Sequence, residues 1–372
     1  MNQPKSTEHF PVHFPMHFPM HFPVHFHTNI QTLLVVVTLI LTVACSPASS
    51  PSQITDLAAG RTVNSANSQQ LRVVTTVSPI TSLVENIGGT RIQLEGIVPE
   101  GANSHTFEPA PSVASILSQA DLFVANGLFL EEPSIDLARA NLKPGGVILT
   151  LGDKATTREE WVFDFSFPES DGHPNPHLWT APNLALKYAE LIRDELVNLD
   201  PKNADYFNEN FAKLEIRIHD LDRRIAESVE TIPPQHRKLL TYHDSFPFFG
   251  ARYGMEIIGA VQPSNFTEPS AREMARLIDQ VRDAQVPAIF GSEVFPSPIM
   301  EQIAKEAGAN FVDQLRDDDL PGKPGDPEHT YLGLMAENMR IMAPALGGNA
   351  DAFDGFDAGL VFEGASPAIY PQ

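Results

Sequence analysis

Residues 207–234 read F-N-E-N-F-A-K-L-E-I-R-I-H-D-L-D-R-R-I-A-E-S-V-E-T-I-P-P. Phe207, Phe211, Leu214, Ile218, Leu221 and Ile225 recur at spacings of four and three, which places them on one face of an α-helix for about five turns. Pro233 and Pro234 lack the backbone donor that a continuing helix needs, so the helix stops there. The helical pattern begins upstream at Pro182, and its last part, 201–232, predicts a single long connector between two different regions. His219 falls beside the apolar stripe on its polar side and reads as solvated.

Working outward, both flanks show short apolar runs alternating with helical ones. On the N-terminal side, L-R-V-V-T-T-V (71–77), I-Q-L-E-G-I-V (92–98), D-L-F-V-A-N (121–126) and G-V-I-L-T-L (146–151) read as strands. P-I-T-S-L-V-E-N-I-G-G and S-V-A-S-I-L-S-Q-A read as helices between them. On the C-terminal side, K-L-L-T-Y, M-E-I-I-G-A-V, P-A-I-F-G and A-N-F-V are strands, interleaved with helices that include A-R-E-M-A-R-L-I-D-Q-V-R-D-A (271–284). A last helix covers T-Y-L-G-L-M-A-E-N-M-R-I-M (330–342). Such alternation predicts α/β architecture with parallel sheets. The expected organisation is an N-terminal α/β lobe at 71–200, the linking helix at 201–232 and a C-terminal α/β lobe at 233–346. The Gly/Asp/Ala-rich residues 347–372 read as a flexible tail, and 153–180 as an irregular insertion.

Residues 1–45 read as a targeting segment. The apolar stretch 30–44 has signal-peptide length and is too short for a comfortable membrane span. Small Ala44 precedes Cys45, the single cysteine, and residues 46–70 are a Ser/Asn/Gln-rich tether. This resembles a bacterial lipoprotein signal, which implies export to the periplasm or cell surface and lipid anchoring through Cys45. One cysteine excludes a disulfide framework and a CxxC zinc ribbon. The repeat H-F-P-V-H-F-P-M-H-F-P-M-H-F-P-V-H-F-H (9–27) holds six of the thirteen histidines but precedes the export signal, so it is expected to be removed with it. A formal charge of -22, from 47 acidic and 25 basic residues, offers no basic face for nucleic acid.

Three other histidines stand in Pro/Gly/aromatic-rich breaks: His105 in E-G-A-N-S-H-T-F-E-P, His177 in H-P-N-P-H-L-W and His243 in T-Y-H-D-S-F-P-F-F-G. His105 and His243 follow strands, where open parallel sheets bind ligands, and imidazole is the commonest side-chain metal ligand. His173 lies four residues before His177, but Pro174 and Pro176 rule out the helix that would make them a metal pair. A fourth donor for tetrahedral closure could be Asp313, directly after A-N-F-V, or Glu293, after P-A-I-F-G, and position alone does not choose. Asp244, next to His243, is a candidate for orienting an imidazole.

The stretches G-A-N-S-H-T-F-E-P, N-P-H-L-W, Y-H-D-S-F-P-F-F-G-A-R-Y-G, E-P-S-A-R-E-M-A-R-L-I and I-F-G-S-E-V-F-P-S-P resemble, in order, the substrate-binding lipoproteins of bacterial zinc/manganese ABC importers. The resemblance implies two α/β lobes bridged by a rigid helix with metal held between them. It implies His105, His177, His243 and Asp313 as metal ligands, with a water as another way to close the shell. Histidine in the third position resembles the zinc branch, so Zn(II) is the expected cargo and Mn(II) the alternative. A non-catalytic, monomeric receptor is expected, partnered by an ABC permease in the cytoplasmic membrane with its ATPase. A zinc hydrolase using Glu293 as general base, or a surface adhesin, would be the competing classes. H-E-x-x-H and G-x-S-x-G are both absent.

Overall fold

The computed structural model describes residues 70–294 and 298–371. The export signal, Cys45 and the histidine repeat lie outside them. Among the described residues, no helix is long and apolar enough to cross a membrane.

The first lobe is built from β1 (Leu71–Thr75), α1 (Ser78–Gly88), β2 (Ile92–Gly96), α2 (Val113–Leu117), β3 (Leu122–Ala125), α3 (Glu132–Asn141), β4 (Val147–Thr150), α4 (Leu151–Ala155) and α5 (Pro182–Leu199). The connecting helix is α6 (Ala204–Thr231). The second lobe holds β5 (Lys238–Thr241), α7 (Pro247–Tyr253), β6 (Glu256–Ala260), α8 (Ala271–Ala284), β7 (Ala288–Ser292), α9 (Pro298–Ala307), β8 (Asn310–Leu315) and α10 (Tyr331–Ala345). A last strand, β9 (Ala368–Ile369), returns to the first lobe.

Both sheets are parallel throughout, with strand orders β4-β3-β1-β2-β9 and β6-β5-β7-β8. Parallel strands covered on both faces need continuous apolar side chains. The central β3 and β7 meet that demand, every residue of each being buried. The two-lobe α/β class expected from the alternation is therefore the architecture of the chain.

Helix α6 buries the stripe read from the sequence: Phe207, Phe211, Leu214, Ile218, Leu221 and Ile225 are all buried. It packs on α1 and α5 of the first lobe and on α7 and α10 of the second. Truncating one of these fully buried side chains, such as Leu214, to Ala removes about 2–5 kcal/mol of stability. Arg252 and Tyr253 at the end of α7 clamp Asp222 of α6 from the second lobe, the Tyr253 hydroxyl at 2.6 Å. Gly254, at φ +69°, then takes the left-handed position that closes α7.

Residues 347–371 differ from the expected flexible tail. They run along α6, where Arg217 donates to the Gly359 carbonyl at 2.6 Å, and reach the first lobe, where the Val361 N–H donates to Asn86 Oδ1 at 3.1 Å. Strand β9 then pairs with β2, and the Tyr370 hydroxyl donates to the buried Glu85 carboxylate at 2.8 Å. The Gly/Asp/Ala composition hides a sparse set of anchors, with Phe353, Val361, Phe362 and Tyr370 all buried.

Candidate metal centre

In a parallel sheet the C-terminal ends of the strands share one edge. His105 sits in the loop after β2, His243 two residues after β5, and Asp317 two residues after β8. His177 arrives differently, from the insertion, just before the 3₁₀ turn Leu178–Thr180 that leads into α5. The site thus draws on both lobes.

The three imidazoles converge through Nε2. His105 Nε2 lies 3.2 Å from those of His177 and His243, which are 2.9 Å from each other. A tetrahedral metal with nitrogen ligands at 2.0–2.1 Å separates them by about 3.3 Å. The triangle is therefore close to one face of such a tetrahedron.

Each deeply buried imidazole is fixed from behind by an amide. The His177 Nδ1 is 2.8 Å from Asn175 Oδ1, which also accepts the His177 backbone N–H at 3.1 Å. The Asn175 amide nitrogen donates to the Asp244 carbonyl at 2.6 Å and to Asp164 Oδ2 at 3.1 Å. With the nitrogen facing two acceptors, the oxygen must face the imidazole, so Nδ1 carries the proton and Nε2 a lone pair. His243 Nδ1 is 2.6 Å from Gln262 Oε1, the same arrangement. Lone pairs pointing at one another repel unless a cation lies among them. That is the orientation metal-binding histidines require.

Burial keeps these groups in their ligand form. Desolvation, and then the His243 imidazole, hold His105 well below the ordinary histidine value. His177 is lowered in the same way, first by burial and then by His243 and His105.

Asp317 places a carboxylate beside the cluster, in a group with His177 and Asp318. Its side chain is buried, Oδ2 lies 3.7 Å from His243 Nε2, and that oxygen has no hydrogen-bond partner among the described residues. Its backbone is held on both sides: Trp179, two residues after His177, donates from Nε1 to the Asp317 carbonyl at 2.8 Å. Glu293 Oε1 accepts the N–H groups of Asp317, Asp318 and Asp319 at 2.9, 3.3 and 3.1 Å.

Of the four residues expected as ligands, His105, His177 and His243 come together, while Asp313 does not. Asp313 is exposed on β8 and outside the group, because the strand continues to Leu315 and the chain turns toward the site only afterwards. Glu293 also lies outside the candidate groups among the described residues; it anchors the aspartate turn, and burial followed by the Asp317 charge pushes it up to about 8. Asp244 touches no imidazole. Its Oδ2 accepts the Ser166 N–H at 2.8 Å, and its neighbour Asp164 is pushed up to about 9 by burial and by the Asp244 charge. His173 stacks on Phe129 at 4.3 Å, apart from the cluster. The supporting amides Asn175 and Gln262 had no sequence signal beyond the polar position inside P-N-P-H-L-W and after β6.

Phe266, from the second lobe, stacks on His105 with ring centroids 4.5 Å apart, and Phe167 of the insertion adds a tilted contact at 5.4 Å. Phe266 is held at φ +55°, a strained value for a non-glycine residue. These rings, with Phe129 and His173, line a groove of about 320 Å³ that leads to His105.

The chain is similar to proteins of known role. The manganese-binding lipoprotein MntA of Halalkalibacterium halodurans is 29% identical over 285 residues, covering 77% of this chain and 91% of its own. The iron-binding protein YfeA of Yersinia pestis is 28% identical over 297 residues, covering 80% and 93%. Among solved structures, the periplasmic zinc binding protein TroA from Treponema pallidum superposes with a TM-score of 0.68 at 24% identity, covering 74% of this chain and 99% of TroA. The family described as ZnuA, zinc-uptake complex component A, periplasmic, matches residues 73–345. The chain belongs to that family of metal-binding receptors of ABC importers.

Proposed function

We propose that this protein captures Zn(II) between its lobes outside the cytoplasmic membrane and delivers it to a permease driven by a cytoplasmic ATPase. The ligands are His105, His177, His243 and, in place of Asp313, Asp317. The observation that carries this reading is the triangle of Nε2 atoms, 2.9–3.2 Å on a side, beside an unpartnered buried carboxylate oxygen. Three neutral imidazoles favour zinc over harder cations. Four protein ligands close the shell and leave no position for an activated water, which separates a receptor from a zinc hydrolase. Glu293, the base such a hydrolase would need, is committed to three backbone donors. Manganese is the alternative cargo, supported by the name of the relative MntA. Anchoring through Cys45, as the sequence suggests, would keep a monomeric receptor at the membrane that holds its permease.

Chelator competition on the full chain tests the assignment. His177→Ala lowers zinc affinity by about a hundredfold or more while circular dichroism stays unchanged. Wild-type affinity in that variant would remove the site.

A further inference from the structure

Residues 346–371 lie beyond the family match, which ends at residue 345. They leave α10 in the second lobe and finish in the first, where β9 pairs with β2. Strand β2 leads into the loop that carries His105. At the root of that loop the Glu100 N–H donates to the Pro371 carbonyl at 3.3 Å, and the next N–H, that of Gly101, donates to Asp319. Helix α1 is built to receive the tail. Its adjacent polar residues Glu85 and Asn86 are only 2% and 1% exposed. Glu85 accepts the Ser366 and Tyr370 hydroxyls, and Asn86 accepts the Val361 N–H. A buried carboxyl is costly unless hydrogen-bonded, and the two hydroxyls that satisfy Glu85 both come from the tail. Tyr370 also reaches the second lobe, where its ring meets that of buried His329 edge-on, with centroids 4.6 Å apart. His329 Nδ1 in turn lies 3.1 Å from the carbonyl of Pro321, two residues after Asp319.

We propose that residues 366–371 brace the metal site, with Tyr370 as a positioning residue for His105. The end of the chain holds the root of the His105 loop against the turn after β8, and so sets how long the site keeps its ion. The inference rests on the receptor reading given above. Tyr370 acts through its neighbour: its hydroxyl on Glu85 and its ring against His329 fix where Pro371 presents its carbonyl to Glu100. Undocking that end removes one of the two bonds that hold consecutive residues at the root, leaving the bond from Gly101 to Asp319. A loop freed there leaves His105 away from the other imidazoles for part of the time, and apparent affinity falls with the fraction that is competent. Linkage makes the effect reciprocal: a docked tail that raises zinc affinity is itself docked more firmly, by the same factor, once zinc is bound.

Zinc release to a chelator is compared in the wild-type full chain, Tyr370→Ala and Phe353→Ala. Phe353 is another buried tail residue, placed beside α6 before the tail reaches the first lobe. Tyr370→Ala should release zinc roughly tenfold faster. Phe353→Ala lowers the thermal midpoint without loosening the loop root, and should speed release by less than about twofold. Unchanged release from Tyr370→Ala, or equal acceleration by Phe353→Ala, overturns the brace. Amide hydrogen exchange of the wild-type chain supplies the reciprocal reading. Zinc alone should slow exchange by about tenfold in both 98–105 and 366–371. Protection of 98–105 with unchanged exchange in 366–371 overturns the brace and leaves the receptor reading standing. Zinc that protects neither those segments nor the loops around His177 and His243 would bring down the receptor reading itself.

Discussion

The His177 loop and the His105 loop reach the same ion site with opposite kinds of support. His177 is held mainly from within its own lobe, with Asn175 and Trp179 each adding one bond to the second lobe. Pro174 and Pro176 restrict the backbone, Asn126 donates to the Pro176 carbonyl at 3.0 Å, and the Thr180 hydroxyl donates to the His177 carbonyl at 2.9 Å. Asn126 is itself held by Tyr188 of α5, whose hydroxyl donates at 2.6 Å. The His105 loop instead leans on the second lobe. The Gly101 N–H donates to Asp319 at 2.8 Å, Ser104 to Asp318 at 2.6 Å, and Phe266 covers the imidazole. A ligand held by its own lobe is pre-positioned before metal arrives. A ligand held by the opposite lobe depends on contacts between the lobes, which predicts that release begins at His105.

Substitutions can break this comparison, beginning with the largest effect. Asp317→Ala removes the proposed fourth ligand and should lower zinc affinity by about a hundredfold, read by chelator competition; an unchanged affinity would return the fourth position to a water. Asn175→Ala frees the His177 imidazole from its orienting oxygen and should cost about ten- to a hundredfold in affinity. Because Asn175 also donates to the Asp244 carbonyl, this variant loosens the contact between lobes as well. Asp319→Ala removes one support of the His105 loop. Its expected signature is zinc release faster by roughly tenfold, with the thermal midpoint of the metal-free protein little changed. If Asn126→Ala speeds release and Asp319→Ala does not, the roles of the two loops are reversed.

Much of the fold was legible because parallel sheets and an amphipathic helix have strong periodic signatures. The stripe from Phe207 to Ile225 is the buried face of α6. The histidine loops stood out because prolines and glycines interrupt that periodicity around them. Asp317 was hidden by a three-residue error in where β8 ends. In N-F-V-D-Q-L-R-D-D-D the apolar run fades before the strand does, and the edge strand's exposed residues look like a loop. The tail was hidden for a related reason: it is held by scattered anchors rather than by a repeating pattern. Asn175 and Gln262 act through one hydrogen bond each to an imidazole, and such partners leave no spacing to read.

Two smaller effects sharpen the account. Exposed imidazoles gain protons near pH 6.5, but burial holds His105 and His177 well below that value. Both therefore stay neutral as pH falls to 6.5 and take up protons only below it, where protons displace the metal. Zinc affinity measured by competition should decline gently above that pH and steeply beneath it. A steep decline already starting near pH 7.5 would mean the imidazoles are solvated. Asp313→Ala, on the exposed strand position, should change affinity by less than about twofold.

The most direct measurement is anomalous diffraction at the zinc edge from crystals of the metal-loaded protein. A single strong peak is expected about 2.0–2.2 Å from Nε2 of His105, His177 and His243 and from a carboxylate oxygen of Asp317. A peak coordinated by Asp313, or one lying away from the three imidazoles, would contradict that assignment.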